Sequence, residues 1–592
     1  MRLKLFLLFF LCHALLVAQI SDLAQNYFDQ GAYHKALPLY QKLVAQSPLQ
    51  PDYIVGLAKT YQQLEDYASA QSLLEEKLSG KRIYPLYYIE LGYNFSLQKQ
   101  DEQAQVYYQK AIDFALEEPN YSLSLGRRFT DYVLLPQAQA LYEKVMRAYP
   151  DKNFILPLAR VYGELGLLDL MFDAYIQLME SNASYIPTIK RYFASYVTED
   201  PKSLGNLSLK KALLQKLRGT PNVLYNELLS WLFAQQQDYQ KAFIQEKAIF
   251  SRAPGSVQGF FNLALAALDQ NRLDVAYEIF EHVLEVAPKT DDRLEATRQI
   301  LLIEQRRESK DLQAIEEHYR TSIEAFGIAA QSTDIRIDYA RFLAFDRQAP
   351  QKARKDLLNY LEVMTNPYAI GRVRLVLGDI LVYEERFNEA LITYAQVQSA
   401  LKNDVLAQEA RFRGAQTSYF KGDFDWAQTQ LKVLKSASTQ KMANDALALN
   451  LLISDNTVED STQTGLKAFA HADLLQHQKR TSAAIVAFKD LLAIQQDTRL
   501  EDDILFKLAA LYQEMGQNNL AQSSLETLLD RDPDSVLADD AHFALAKLLE
   551  GPLSLVQEAM SHYENIIFNH TNSIYFVEAQ QRYRALRGDA PN

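Results

Sequence analysis

Small and aromatic residues return at a step of 34 positions over much of this 592-residue chain. No other feature narrows its folding options as far. Residues 17–50 place Tyr27, Gly31, Tyr33, Ala36, Tyr40 and Pro48 at fixed offsets. The next unit holds Tyr61, Tyr67 and Ala70 at matching places. The one after holds Leu91, Gly92, Phe95, Ala104, Tyr108 and Ala111, and the fourth holds Leu125, Gly126, Phe129, Ala138, Tyr142, Val145 and Pro150. The pattern resumes in 223–256, 257–290, 371–404, 408–440 and 502–535, for example as Leu377, Gly378, Phe387, Ala390 and Tyr394. A self-similar period of this length marks stacked repeats.

Within each unit the apolar residues fall three or four apart, the spacing of one helical face. Two helices joined by a short turn account for one unit. The small residue at the eighth place lets the first helix approach its partner. The alanine at the twentieth lets the second helix pack closely, and aromatics at the eleventh and twenty-fourth fill the remaining space. A proline at the thirty-second stops the second helix. One such hairpin cannot bury its own apolar face, so neighbours stack into a solenoid. Composition agrees: 20 Gly and 18 Pro are too few for a large all-β protein.

The spacing resembles that of the tetratricopeptide repeat family, over most of 17–570. The resemblance implies an all-α right-handed superhelix of about fifteen antiparallel helix pairs. Its inner wall is lined by first helices and grips peptides or partner proteins. In this register Lys59, Gln62, Tyr93, Arg127 and Arg160 take wall positions, and tyrosine and arginine concentrate binding energy at interfaces. The family's clamp for acidic peptide ends uses paired Lys and Asn on the first helix. Ser21 and Gln25 stand there instead, so that clamp is not expected.

Some stretches depart from the pattern. Residues 183–222 read as a helix pair with a loop at 199–206, and 291–366 as two pairs that keep only the helical period. The polar stretch 454–464 reads as a joint. The expected organisation is a signal peptide at 1–19, an N-terminal solenoid at 20–222, a central one at 223–454 and C-terminal repeats with a capping helix at 465–592. Asp532-Pro533-Asp534-Ser535 resembles the repeat variant of periplasmic outer-membrane assembly lipoproteins, where Asp534 or Ser535 would cap the next helix.

Arg2 and Lys4 precede an apolar run from Leu5 to Ala18, too short to span a bilayer. This reads as a secretory signal cleaved near Ala18 or Gln19. Cys12, the one cysteine, lies inside it, and the bulky Phe10 and Leu11 speak against lipidation. The expected location is the periplasm or outer-membrane periphery, with no transmembrane segment in the mature chain. A partner could still hold the chain at a membrane.

No P-loop, nucleophile elbow or zinc-protease motif is present. Pairs such as Glu75-Glu76 read as solvated charge. His471 and His477 are not at ligand spacing, and His562 and His570 are separated by a helix end. No catalytic, cofactor-binding or metal-ligating residue is therefore expected. A net charge of −13 argues against nucleic acid as partner. The functional expectation is a non-catalytic scaffold of the bacterial envelope that holds other proteins or peptides. The alternative is an α-helical toroid acting on envelope polysaccharide, which would need acids converging at one end.

Overall fold

The computed structural model describes residues 19–80, 83–219, 221–327, 332–434, 440–457, 462–496 and 498–588. The expected signal segment up to Ala18, with Cys12, lies outside them. Among the described residues there is no strand, and helices follow one another through short turns. The chain forms two compact units, divided between Ile279 and Phe280 inside the Leu273–Val286 helix. Each unit is an α-solenoid of antiparallel hairpins.

In the first unit the pairs include Pro51–Gln63 with Tyr67–Leu78, Leu86–Leu97 with Asp101–Glu117, and Ser122–Asp131 with Leu135–Ala148. The twentieth-place alanines Ala36, Ala70, Ala104 and Ala138 all lie buried at helix crossings. At the first helices of the third and fourth hairpins, Gly92 lies against the ring of Tyr108 and Gly126 against that of Tyr142. A Cβ at either glycine would run into the ring. The same fit recurs in the second unit between Gly378 and Tyr394. The small residue of the sequence pattern thus makes room for the aromatic of the same hairpin.

The turn inside most hairpins is reached through one residue in the left-handed conformation. In the first unit this residue is Gly31, Glu65, Lys99, Val133 and Gly166, then Gln237 and Asn271. Side chains other than glycine tolerate that region at a cost. Asp66 and Asp238 follow at the caps and accept from the amides of Ser69 and Lys241, each at 3.1 Å. They supply acceptors for amides that have no partner within their helices.

The inserted loop of the sixth hairpin is shorter than the sequence suggests, because the second helix already begins at Leu204. Asn206 sits inside that helix and ties the loop down. Its amide donates to the carbonyls of Thr198 at 2.7 Å and Asp200 at 2.6 Å. Gly205 is needed beside it, since a Cβ there would meet the backbone carbonyl of Tyr196.

In the second unit, the described residues of 291–366 form two hairpins, the second bent by a π-helical turn at Phe342–Asp346. The Gln440–Thr457 helix has no partner in the hairpin pattern, and Thr464–His477 packs directly against Val405–Lys421 as well. Residues 454–457 of the expected joint close that helix, and 458–461 lie outside the described residues. Left-handed turns recur here at Glu385, Gly422, Lys479, Gly516 and Ser554. Ser535 accepts from the amide of Leu537, just ahead of the Ala538–Glu550 helix and not within it. The closing helix Phe576–Arg587 buries Ala579 and reaches Glu550 through Arg582 at 3.1 Å. No described helix is long and apolar enough to cross a membrane.

Candidate functional site

The first helices Pro51–Gln63, Leu86–Leu97 and Ser122–Asp131 lie side by side. Their neighbouring faces assemble one charged and aromatic cluster around Glu90. This carboxylate is fully buried, and nothing in the sequence reading singled it out. It is the one ionisable acid or base in a helix that otherwise reads Leu-Tyr-Tyr-Ile ahead of it and Leu-Gly-Tyr-Asn after it. That isolation between Ile89 and Leu91 is the signal that could have found it.

Burial of a lone carboxylate is costly unless it is paired. Arg128 Nη1 stands 3.0 Å from Glu90 Oε1, and the Tyr132 hydroxyl donates to Oε2 at 2.5 Å. Burial pushes the Glu90 carboxyl up, while Arg128, Lys59 and the Tyr132 hydrogen bond pull it back. Tyr132 itself is raised far above the ordinary tyrosine value, first by burial and then by Glu90. Its hydroxyl therefore stays protonated and donating. Burial disfavours the charged form of Arg128, but Glu90 and Tyr132 outweigh it and hold the guanidinium above its usual value.

Lys59 joins from the preceding hairpin. Its ammonium stands 5.2 Å from the centre of the Tyr132 ring, within cation–π range. Burial holds it below the ordinary lysine value, with Glu90 acting in the opposite direction. The Tyr93 ring lies flat on the Tyr132 ring, with centroids 4.0 Å apart and planes 3° from parallel. Arg128 also reaches that ring, at 5.8 Å.

The five residues placed by register therefore separate. Lys59 and Tyr93 enter the cluster with Glu90, Arg128 and Tyr132. Gln62 is buried beside it, and its amide donates to the Glu90 carbonyl at 3.1 Å, tying two first helices together. Arg127 is exposed at the edge. Arg160 is exposed one hairpin further on, where it lies 4.9 Å from the Tyr192 ring centre and donates to its hydroxyl.

The second unit uses the same device along its own first helices. Asp379 accepts from Tyr394 at 2.8 Å and pairs with Arg413. Asp473 pairs with Lys507 at 2.7 Å. An acid on one first helix and a base on the next recur as a link between hairpins. Such a surface can fix charged and aromatic groups of a bound chain.

Three segments of the chain match models described as tetratricopeptide repeat: residues 27–76, 257–290 and 503–535. No curated protein matches it in sequence. Among solved structures it is similar to a chain of the APC/C hetero-tetramer Cut9-Hcn1. There the identity is 14% over 89% of this chain and 95% of that one, with a TM-score of 0.26. It is also similar to a chain of Naa15/Naa10 bound to HypK-THB, at 13% identity over 97% and 98%, TM-score 0.29. A third is the P58(IPK) TPR domain, at 15% identity over 62% and 98%, TM-score 0.19. The matched segments, the alanines at helix crossings and the recurring left-handed turns agree on an all-α solenoid of antiparallel hairpins, three segments of which match tetratricopeptide repeats.

Proposed function

We propose that the chain is an exported, non-catalytic scaffold of the bacterial cell envelope. It holds a segment of a partner protein along the first helices of its N-terminal hairpins. The observation that carries this reading is the cluster of Lys59, Glu90, Tyr93, Arg128 and Tyr132 across three successive first helices. Two bases surround buried Glu90, Asp131 acts on all three of these groups, and exposed Arg127 adds a third base at the rim, leaving one positive charge in excess. This surplus of positive charge suits a segment carrying acidic and aromatic side chains, within a chain whose net charge is −13. The basic, apolar start from Arg2 to Ala18 supports export.

The test is photo-crosslinking from positions 59 and 127 in intact cells, followed by fractionation. Discrete crosslinked proteins in the envelope fraction are expected, and they should weaken with Lys59→Glu and Arg127→Glu. A chain that stays in the cytoplasm with its first residues intact overturns the location. Crosslinking that both charge reversals leave unchanged overturns the binding surface.

A further inference from the structure

A cavity of about 360 Å³ opens in the second unit, between the two hairpins of 291–366. Three helices wall it: Leu312–Phe326, Thr333–Arg341 and Pro350–Val363. Ile323, Tyr339, Leu357, Tyr360 and Val363 make much of the lining apolar. Arg336, on the middle helix, stands among them.

A charge withdrawn from water normally has a partner. Arg128, Arg298 and Arg413 are likewise half-buried, and each rests on a carboxylate, of Glu90, of Asp338 at 2.5 Å and of Asp379. Arg336 has no ion pair among the described residues. Its Nη2 donates to the Gly327 carbonyl at 3.1 Å, and its Nε is buried without an acceptor. The guanidinium carbon lies 4.7 Å from the centre of the Tyr360 ring. Thr333 Oγ1, 2.9 Å from the Tyr360 hydroxyl, holds that ring in place. Burial pulls the guanidinium below its usual value, with Tyr360 and Asp356 acting the other way. A guanidinium carries several N–H groups and no acceptor, and most of them go unmet here.

The other charges around the cavity are answered. Arg320 stands 3.0 Å from Glu317 and 3.9 Å from Glu324. Partial burial raises the Asp356 carboxyl, and Lys352, Lys355 and Arg336 pull it back. What the cavity lacks is an acceptor for Arg336. A carboxylate offers a guanidinium two oxygens side by side. An apolar group attached to it meets the aliphatic and aromatic walls, in a space within the range of small-molecule sites. Asp356 opposes a second negative charge on the same ligand.

We infer that this cavity binds a small organic acid with one carboxylate and an apolar body, the carboxylate on Arg336 and the body against Ile323, Leu357 and Tyr360. The inference stands apart from the binding surface around Glu90 and does not depend on it.

The test is binding of phenylacetate to the full chain, followed by saturation-transfer NMR. Saturable binding is expected, with displacement by hexanoate. Phenethyl alcohol, which lacks the charge, and inorganic phosphate should not displace it. Arg336→Gln should weaken binding about 10–100-fold. Arg336→Lys keeps the charge without the paired donors and should fall between. Val363→Glu, an exposed change at the mouth that spares the fold, should also weaken it. Absence of saturable binding by either acid overturns the site. So does equal affinity in the wild type, Arg336→Gln and Val363→Glu. Displacement by phosphate or phenethyl alcohol overturns the monocarboxylate as ligand. A peptide ending in phenylalanine that binds where phenylacetate does not overturns the free acid as occupant.

Discussion

The Tyr132 hydroxyl donates to the buried Glu90 carboxylate over 2.5 Å, joining residues 42 positions apart in sequence. With Arg128 on the same acid, this contact sets the spacing between two hairpins. Glu90→Ala leaves Arg128 without its partner and should cost about 3–5 kcal/mol. Glu90→Gln keeps an acceptor for Tyr132 and should cost less, about 1–3 kcal/mol. Urea denaturation of the two variants checks the order. Equal losses would show that the charge on Glu90 contributes nothing.

Val133 is a β-branched residue held at φ 56°, with its side chain exposed. Left-handed backbone costs an L residue roughly 1–2 kcal/mol, and glycine escapes most of it. Val133→Gly should therefore stabilise the chain by about 0.5–1 kcal/mol, despite the greater freedom of glycine when unfolded. Asn271→Gly, at φ 55°, should gain less, because asparagine already tolerates this region. Thermal melting of both variants provides the measurement.

Ala104 is buried where the Asp101–Glu117 helix crosses its partner. Ala104→Trp overpacks that crossing and should destabilise by roughly 1–3 kcal/mol or more. A melting temperature equal to that of the wild type would contradict the placement of the crossing. The exposed Val106, two residues along the same helix, is the control: Val106→Ala should stay within about 0.5 kcal/mol.

Asp503 gives the chain a dependence on pH near neutrality. Burial, with Asp502 beside it, raises its carboxyl from 3.8 to about 7. A folded state that holds a proton more tightly than the unfolded one is favoured at low pH. The stabilisation is complete below about 4 and is lost as pH rises through about 7. Asp503→Asn should remove this slope and make the variant more stable than the wild type at pH 8, relative to pH 5. Melting curves at the two pH values decide it; parallel behaviour of both chains would refute it.

The hairpins themselves were legible because a crossing that admits only a small side chain leaves an alanine or glycine at a fixed step, as at Ala36, Ala70, Ala104 and Ala138. The cluster around Glu90 was only half legible. Register finds Lys59 and Tyr93 because they share one helix position. Glu90, Arg128 and Tyr132 are brought together across two hairpins, and a charge in a helix looks solvated until its neighbours are known. The Gln440–Thr457 helix broke the pattern for the same reason. It carries helical periodicity, and its buried Ala446 meets Phe424–Val433, a helix that already has a partner in its own hairpin.

The left-handed turns recur every 33–34 residues among Gly31, Glu65, Lys99, Val133 and Gly166, yet 37–38 residues apart from Glu385 to Gly422 and from Lys479 through Gly516 to Ser554. The surplus is about one turn of helix, some 5 Å of length. Around Glu385 and Gly422 it falls on the first helices, which run to 17 residues at Pro367–Tyr383 and Val405–Lys421 against 12 at Leu86–Leu97. Ahead of Ser554 it falls on the connections, since Ala538–Glu550 has 13 residues. A ligand lying across the longer first helices meets a strip one row of side chains broader than its counterpart in the N-terminal hairpins.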